Sequence, residues 1–466
     1  TKPYPCPGHC VFCPTEVGMP KSYLYGEPAA SRAAQCDFDP QRQVKLRLRT
    51  YKEIGQPSSK VELIILGGSF TAYPESYQRH FIKDCFEACN RKKSSSLKLA
   101  QKQNESAPHR LVGITVETRP DLITVETLKR LRELGVTRLE IGVQSVFDSV
   151  LKKVHRGHTA ADVARATKLL KDFGFKVCYH MMVNLPGSTP AKDLATFKKI
   201  FDDSRFRPDL LKIYPCLVLK TAELYHQFII GKYKTYSEKR LIKLLADIKE
   251  IVPDYIRINR LGRDVPRNLV MAGYASSNIR ELVQAEINHR GKKCRCLRCR
   301  EIGQSDYSEN VHLVIDEYEA SGGREYFLQF LDNKNRLHGL LRLRLPAFWL
   351  EGKKAVSPEL EGAAIIREVH VYGQALEVGS LAKSESQHRG LGRKLIAQAE
   401  GIVREKGLPR LAVISGVGVR DYYRRLGYNL QGTYLIKEMG TVSPLILSGC
   451  LVVNDKKEIY LLYRRK

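Results

Sequence analysis

Pro5-Cys6-Pro7-Gly8-His9-Cys10-Val11-Phe12-Cys13-Pro14 is the stretch on which the reading of this chain turns. Its three thiols stand at Cys-x3-Cys-x2-Cys spacing, with an aromatic residue just before the last. On one tight loop this spacing brings Cys6, Cys10 and Cys13 to three corners of a cubane iron–sulfur cluster and leaves the fourth iron without a protein ligand. A structural zinc knuckle or free thiols are the plainer readings. Zinc usually takes its remaining ligands from a second pair, and none lies nearby.

The spacing resembles that of the radical S-adenosylmethionine superfamily. The resemblance implies that the open iron binds S-adenosylmethionine and that one electron releases a 5′-deoxyadenosyl radical from it. The sequence after the loop agrees. Short apolar runs at Val61–Leu66, Val112–Glu117, Arg138–Gln144, Lys176–Val183 and Leu210–Tyr214 alternate with amphipathic stretches. Buried strands alternating with helices give a parallel sheet. Five runs are visible; a sixth strand would normally precede the cysteine loop, and this chain starts too late to show it, so the expected fold is a partial (β/α)6 barrel of α/β class. Chemistry in such folds lies at the C-terminal ends of the strands. The residues ending these runs, Gly67, Gly68, Glu117, Gln144 and Lys212, are therefore site candidates, each weighed against a plain strand-end turn or a satisfied polar group. Gly67-Gly68 resembles the glycine pair that meets the amino group of the methionine moiety. Residues 91–110, rich in Ser, Lys and Gln, read as a polar, flexible insertion.

The chain of 466 residues carries 77 basic against 50 acidic residues, a net +27. Such a surplus favours a polyanionic partner, nucleic acid before an anionic membrane surface. No apolar run approaches the ~18 residues of a membrane span. No secretory signal is visible at Thr-Lys-Pro-Tyr-Pro, so the twelve cysteines point to metal chemistry in a reducing cytoplasm. Cys294, Cys296 and Cys299 lie close together among basic residues and are expected to hold a structural zinc at a junction, residues 289–310. The fourth ligand is open among His289, His312, Cys85 and Cys89, and three incidental thiols is the competing reading.

From Val311 the pattern changes to antiparallel strands at Val311–Ile315, Phe327–Phe330 and Leu340–Leu345, then a long strand at Ala364–Tyr372. Gln387-His388-Arg389-Gly390-Leu391-Gly392-Arg393 then opens a helix. A glycine turn at a helix N-terminus presents backbone amides to a pyrophosphate. With its leading Gln and interleaved Arg, this constellation resembles the acetyl-CoA loop of GNAT-type acetyltransferases, an α+β fold. Asp421-Tyr422-Tyr423-Arg424-Arg425-Leu426-Gly427-Tyr428 matches a helix end of that fold, where a tyrosine can reach the coenzyme sulfur. Tyr428 reads as a core aromatic.

A radical domain (residues 1–288) followed by an acetyltransferase domain (residues 311–466) resembles, over essentially the whole chain, the Elongator catalytic-subunit family of tRNA uridine acetyltransferases. Arg138–Ser145, Arg156-Gly157-His158-Thr159, Leu340–Arg344 and Val413–Gly418 agree. The compact cysteine spacing fits the bacterial or archaeal stand-alone type. The resemblance implies Cys6, Cys10 and Cys13 as ligands of a 4Fe–4S cluster. For acetyl-CoA it implies Lys60, Glu368, Val369, His370, Val371, Leu391, Gly392, Arg393 and Tyr423, with Gln387, Gly390 and Tyr422 in the same loop and helix. Lys60, Glu368 and Tyr423 are the implied catalytic residues. The implied reaction transfers the acetyl group to carbon 5 of a wobble uridine in a tRNA anticodon loop, leaving 5-carboxymethyluridine. An external electron donor is needed, a monomer or weak dimer suffices, partner subunits are not required, and no membrane is involved. Two rivals are a protein lysine acetyltransferase with Glu368 as base, and a non-catalytic tRNA-binding scaffold.

Overall fold

The computed structural model describes residues 1–274, 276–303, 308, 310–373 and 390–440, and the backbone of 463–464. They form two units. The first comprises Thr1–Leu170, Phe175–Cys299 and Gly416–Arg420; the second comprises Lys171–Gly174, Arg300–Ser415 and Asp421–Lys466.

In the first unit, β1 (Lys60–Ile65), β2 (Arg110–Thr118), β3 (Arg138–Gln144), β4 (Lys176–Val183), β5 (Leu210–Pro215) and β6 (Arg257–Leu261) form one sheet in sequence order. Every pair is parallel. β3 is buried along six of its seven residues, as expected of a strand covered on both faces. The intervening helices start where the sequence caps them: Thr124, Thr189 and Ser237 accept from the backbone N–H of Thr127, Lys192 and Arg240.

Two stretches differ from what their composition suggests. The described sheet has one strand more than the apolar runs show, β6, after the last of them. Arg257-Ile258-Asn259-Arg260-Leu261 buries only Ile258 and Leu261, because it is an edge strand, so its composition hides it. Residues 91–110 are not a loose insertion. Ser96 caps a helix, Leu97–Asn104, whose Leu97, Ala100, Gln101 and Asn104 are buried. Asn104 donates to Asn90 Oδ1 at 2.8 Å and to the His109 carbonyl at 3.0 Å, and accepts from Leu111 N at 2.8 Å. Its amide satisfies backbone groups that a loop would leave to water. Val44–Arg49 is helical. Asp39 caps a helix over Pro40–Glu53, so Lys45, Arg47 and Arg49 fall on alternate sides of it.

The second unit has an eight-stranded sheet. Its strands are β7 (Val311–Ala320), β8 (Gly323–Asp332), β9 (Leu337–Leu345), β10 (Ala363–Val371), β11 (Arg410–Val413), β12 (Asn429–Gln431), β13 (Tyr434–Glu438) and β14 (Tyr463–Arg464), in the order β12-β13-β11-β10-β9-β8-β7-β14. The long hairpins β7–β8–β9–β10 are antiparallel, as the alternating runs imply. The β10–β11 pair is parallel and registers only Ala363–Ile366 with Arg410–Val413. Opposite β9, Glu368 faces Arg342 while Ile366 faces Leu343, so Arg367 is an inserted bulge residue that turns the strand. Glu368–Val371 therefore runs on beyond the end of β11. The helix Leu391–Glu405 packs on β9 and β10 through buried Leu395, Ile396, Ala399 and Val403. No helix among the described residues is long and apolar enough to cross a membrane.

Candidate active site

The cysteine loop is pinned at its centre. Val11 is buried among Val150, Val154, Leu185 and Tyr233, its N–H donates to the Val154 carbonyl at 3.2 Å, and its carbonyl accepts from Leu224 N at 2.8 Å. With Val11 anchored, Cys6, Cys10 and Cys13 stay partly exposed. They line a cavity of about 380 Å³ together with Gly68, Glu117, Gln144 and Lys212. The thiols and the ends of four strands thus converge. Burial, then the neighbouring Cys10, pushes the Cys13 thiol up to about 11. A bound cation would favour the thiolate form there.

Gly67 sits behind this wall. Its φ is +136°, and a Cβ there would fall 1.8 Å from Thr1 Oγ1, so no other residue fits. Glu117 is a satisfied acceptor: Tyr23 Oη donates to its two oxygens at 3.0 and 2.8 Å, and Gly67 N at 3.4 Å. Gln144 holds a φ of +68°, an uncommon conformation for a non-glycine residue. Lys212 Nζ is paired with Glu140, whose same oxygen lies 2.8 Å from His180 Nε2. Although burial opposes it, His180, Lys212 and Arg138 hold the Glu140 carboxyl well below the usual range. Glu140, His180, Arg119, Arg156 and Tyr23 all line the cavity; Glu140 and Arg156 lie in stretches that carry the family resemblance, but none of the five was given a site role from the sequence. The available signal was a charged residue inside an apolar run, Glu140 in Leu139–Val143 and His180 in Val177–Val183.

Lys60 is not at this cavity. It opens β1 at the opposite end, about 17 Å from the strand's C-terminus at ~3.3 Å per residue. Burial lowers its ammonium pKa. A second cleft, about 660 Å³, lies among Lys45, Arg49, Lys52, Arg91, Lys92 and Lys93.

The sulfurs of Cys294, Cys296 and Cys299 lie within 4.8 Å of one another. Mutual hydrogen bonding pulls the Cys296 thiol down and pushes Cys294 up. Among the described residues, none of His289, His312, Cys85 or Cys89 joins the group.

In the second unit Gly390, at φ +79°, precedes the helix opened by Leu391. A Cβ on Gly392 would lie 3.0 Å from Tyr422 Oη and 3.7 Å from Val371 Cγ2, so loop, helix and β10 meet there. Tyr423 is buried, its ring 5.2 Å from that of Tyr422 and 6.0 Å from that of Tyr428. Tyr428 donates to Glu400 at 2.9 Å, as a core residue. Glu368 accepts from Arg342 Nε at 2.9 Å. Val369 and His370 face Leu341 and Leu340 across the sheet, and His370 and Arg393 are exposed. Gln387 lies outside the described residues.

The parallel sheet, the three-thiol loop and the strand-end cavity define a radical S-adenosylmethionine protein. The model of the Radical SAM superfamily matches residues 4–200, and that of the Radical_SAM C-terminal domain matches residues 208–289. The chain is 46% identical to the tRNA uridine(34) acetyltransferase of Dehalococcoides mccartyi over 446 residues, 94% of this chain and 96% of that one. It is 40% identical to Elongator complex protein 3 of Homo sapiens over 458 residues, 94% of this chain and 82% of that one. A solved structure, the archaeal Methanocaldococcus infernus Elp3 with an N-terminus deletion (1–46), superposes with a TM-score of 0.82 at 41% identity, covering 87% of this chain and 96% of that one. The chain belongs to the family of tRNA uridine(34) acetyltransferases and Elongator complex protein 3.

Proposed function

We propose that this chain modifies the wobble uridine of tRNA, joining the acetyl group of acetyl-CoA to carbon 5 to leave a carboxymethyl group. The observation that carries the reading is the convergence of Cys6, Cys10 and Cys13 with four strand ends in one cavity, in a chain that matches its relatives over nearly its whole length. The residues fit a 4Fe–4S cluster and S-adenosylmethionine: three sulfur donors share one wall, and the buried Arg119 Nη1 beside them has no hydrogen-bond partner. When bound, that pair would supply a 5′-deoxyadenosyl radical able to take a hydrogen atom from the acetyl methyl group.

The chain's own residues position these groups. Cys6, Cys10 and Cys13 hold the cluster, and Gly67-Gly68 leave room for the methionyl amino group. Glu117, locked by Tyr23, and Lys212, locked by Glu140, give the cavity fixed walls, and Gln144 is turned to it by its backbone. For acetyl-CoA, the GNAT-like turn Gly390–Arg393 offers amides to the pyrophosphate. Glu368–Val371 offers strand backbone to the pantetheine, and Tyr423 stands near the thioester. Lys60 stays an implied coenzyme residue of the family. The rival reading, protein lysine acetylation, needs Glu368 as a base. Its ion pair with Arg342 disfavours that role. A zinc at Cys294, Cys296 and Cys299 is structural in this reading.

The test is anaerobic incubation of iron-reconstituted protein with S-adenosylmethionine, a reductant, acetyl-CoA and tRNA. Carboxymethyluridine in the nucleoside digest is the expected product. A Cys10→Ala variant is expected to form no 5′-deoxyadenosine. Unmodified tRNA alongside active cleavage of S-adenosylmethionine would overturn the substrate reading, and normal cleavage by the variant would overturn the cluster.

A further inference from the structure

Two arginines stand behind the cysteine loop with less negative charge around them than burial allows. Arg156 is 6% exposed and Arg119 3%. Arg156 is clamped by one carbonyl: its Nε and Nη2 donate to Gly142 O at 3.2 and 2.6 Å. The remaining nitrogen, Nη1, is 3.3 Å from Cys10 Sγ. Arg119 donates through Nε and Nη2 to Asp121, and through Nη2 to the Arg156 carbonyl at 2.8 Å. Its Nη1 is buried without a partner.

Glycines clear the space for both guanidiniums. A Cβ on Gly8, between the first two cysteines, would fall 2.0 Å from Arg119 Nη1. One on Gly142 would fall 2.6 Å from Arg156 Nη2, and one on Gly157 would fall 3.2 Å from Arg119 Nη2. The guanidiniums are therefore not fillers under a loop that happens to cross them; the loop is built to touch them.

Among the described residues, Asp121 is the one carboxylate ion-paired with either arginine. Two buried cations against one partly exposed anion leave a positive charge uncompensated, which is costly unless an anion joins them. Three thiolates around an iron–sulfur cluster are such an anion, and reduction of the cluster by one electron adds a further negative charge at the same place. Hydrogen bonds to cluster sulfurs and nearby charge both set reduction potential.

We propose that Arg156 and Arg119 are positioning residues that raise the reduction potential of the cluster held by Cys6, Cys10 and Cys13, making its reduced state accessible to the electron donor. Arg156 acts through the Cys10 sulfur. Arg119 acts through the face of the loop opened by Gly8. His158 does not duplicate them: it is buried behind the pair and held neutral by burial and by the two arginines themselves. The proposal rests on the cluster reading but not on the uridine chemistry.

The test is a potentiometric titration of reconstituted full-length protein followed by paramagnetic resonance, with iron and sulfide measured in parallel. Iron content reports the cluster reading by itself; the midpoint reports the arginines. Arg156→Gln and Arg119→Gln are expected to bind wild-type iron with a lower midpoint. At a fixed potential the ratio of reduced to oxidised cluster should fall about tenfold, about 59 mV for a one-electron couple. Arg156→Lys and Arg119→Lys, which keep the charge, are expected to recover most of the shift. Full iron with an unmoved midpoint in the Gln variants would overturn the proposal, as would Lys variants shifted as far as Gln. If the Gln variants take up no iron, the Lys variants decide: restored iron supports a charge role, and failure there too would make both residues merely structural.

Discussion

Arg344 grips Asp172 from two nitrogens, Nε at 2.9 Å and Nη2 at 2.6 Å, with both side chains almost wholly buried. The same Asp172 oxygen accepts from Ala347 N at 3.0 Å, and Arg344 Nη1 reaches Glu325 at 3.0 Å. Removing one partner of a buried pair strands the other. Asp172→Ala is expected to destabilise the second unit by about 3–5 kcal/mol, whereas replacing both partners with apolar residues should cost less. Trp349, the chain's single tryptophan, is in the short helix Ala347–Leu350 that Asp172 caps onto. Urea unfolding followed by its fluorescence is the measurement, and an unchanged midpoint would show the pair to be inert.

Gly392 tests the coenzyme loop. Gly392→Ala brings a Cβ to 3.0 Å from Tyr422 Oη, which the tyrosine can absorb with a small shift, so weak binding should survive. Gly392→Glu adds bulk and negative charge where a pyrophosphate would lie. Calorimetry should then find acetyl-CoA affinity reduced more than tenfold. Equal affinity for wild type and the Glu variant would place the coenzyme elsewhere.

His158 gives a pH signature. Burial, then Arg156 and Arg119, lowers its imidazole to about 3, against about 6.5 in an unfolded chain. Between those values the unfolded state binds a proton that the folded state refuses, so stability falls as pH drops from about 6.5 toward 3. The limiting slope is about 1.4 kcal/mol per pH unit. Urea midpoints of wild type at pH 7 and pH 5, read by circular dichroism, should differ more than those of His158→Gln. Parallel pH dependence in the two proteins would refute the assignment.

For the junction, a Cys294/Cys296/Cys299→Ser variant is expected to lose zinc in metal analysis while keeping its iron and its cluster absorbance. Zinc retained at the wild-type ratio would mean that the metal is bound elsewhere.

The basic cleft at Lys45, Arg49, Lys52, Arg91, Lys92 and Lys93 is a candidate seat for tRNA phosphates. Arg49 pairs with Glu53 and Lys93 with Glu87. Among the described residues Lys45, Lys52 and Lys92 have no carboxylate partner, so they have the most to gain from an anion. Replacing those three with alanine should lower tRNA affinity and flatten its log–log salt dependence by roughly 0.9 for each phosphate no longer neutralised. A slope identical to wild type would move the binding surface elsewhere.

The sequence was most legible where one physical rule acted alone. Apolar runs such as Lys176–Val183 became strands within a residue of their expected limits, because burial on both faces leaves composition no other job. The thiol spacing and the strand-end rule together named Gly68, Glu117, Gln144 and Lys212, and all four line one cavity with the cysteines. Reading failed where tertiary contacts override composition. Leu97–Asn104 looked like solvent-facing polar chain because Asn104 commits its amide to the Asn90 side chain and the His109 and Leu111 backbone, contacts its composition does not show. Arg119 and Arg156 were illegible because an arginine's meaning lies in what its guanidinium touches: a carbonyl at Gly142 and a sulfur at Cys10.

The first unit also includes Gly416–Arg420, more than a hundred residues beyond Cys299. Gly416 and Gly418 are there because a Cβ on either would collide with β2, 2.1 Å from the Val112 carbonyl and 2.6 Å from Arg110 Cβ. Arg420 adds an ion pair to Glu105 at 3.3 Å. A ribosome that has just delivered Cys299 has therefore delivered all six parallel strands and the thiol loop, yet not the segment that closes over the start of β2. During translation this flank of the sheet stays open until most of the remaining chain has emerged. A gene cut after residue 299 would leave it open for good.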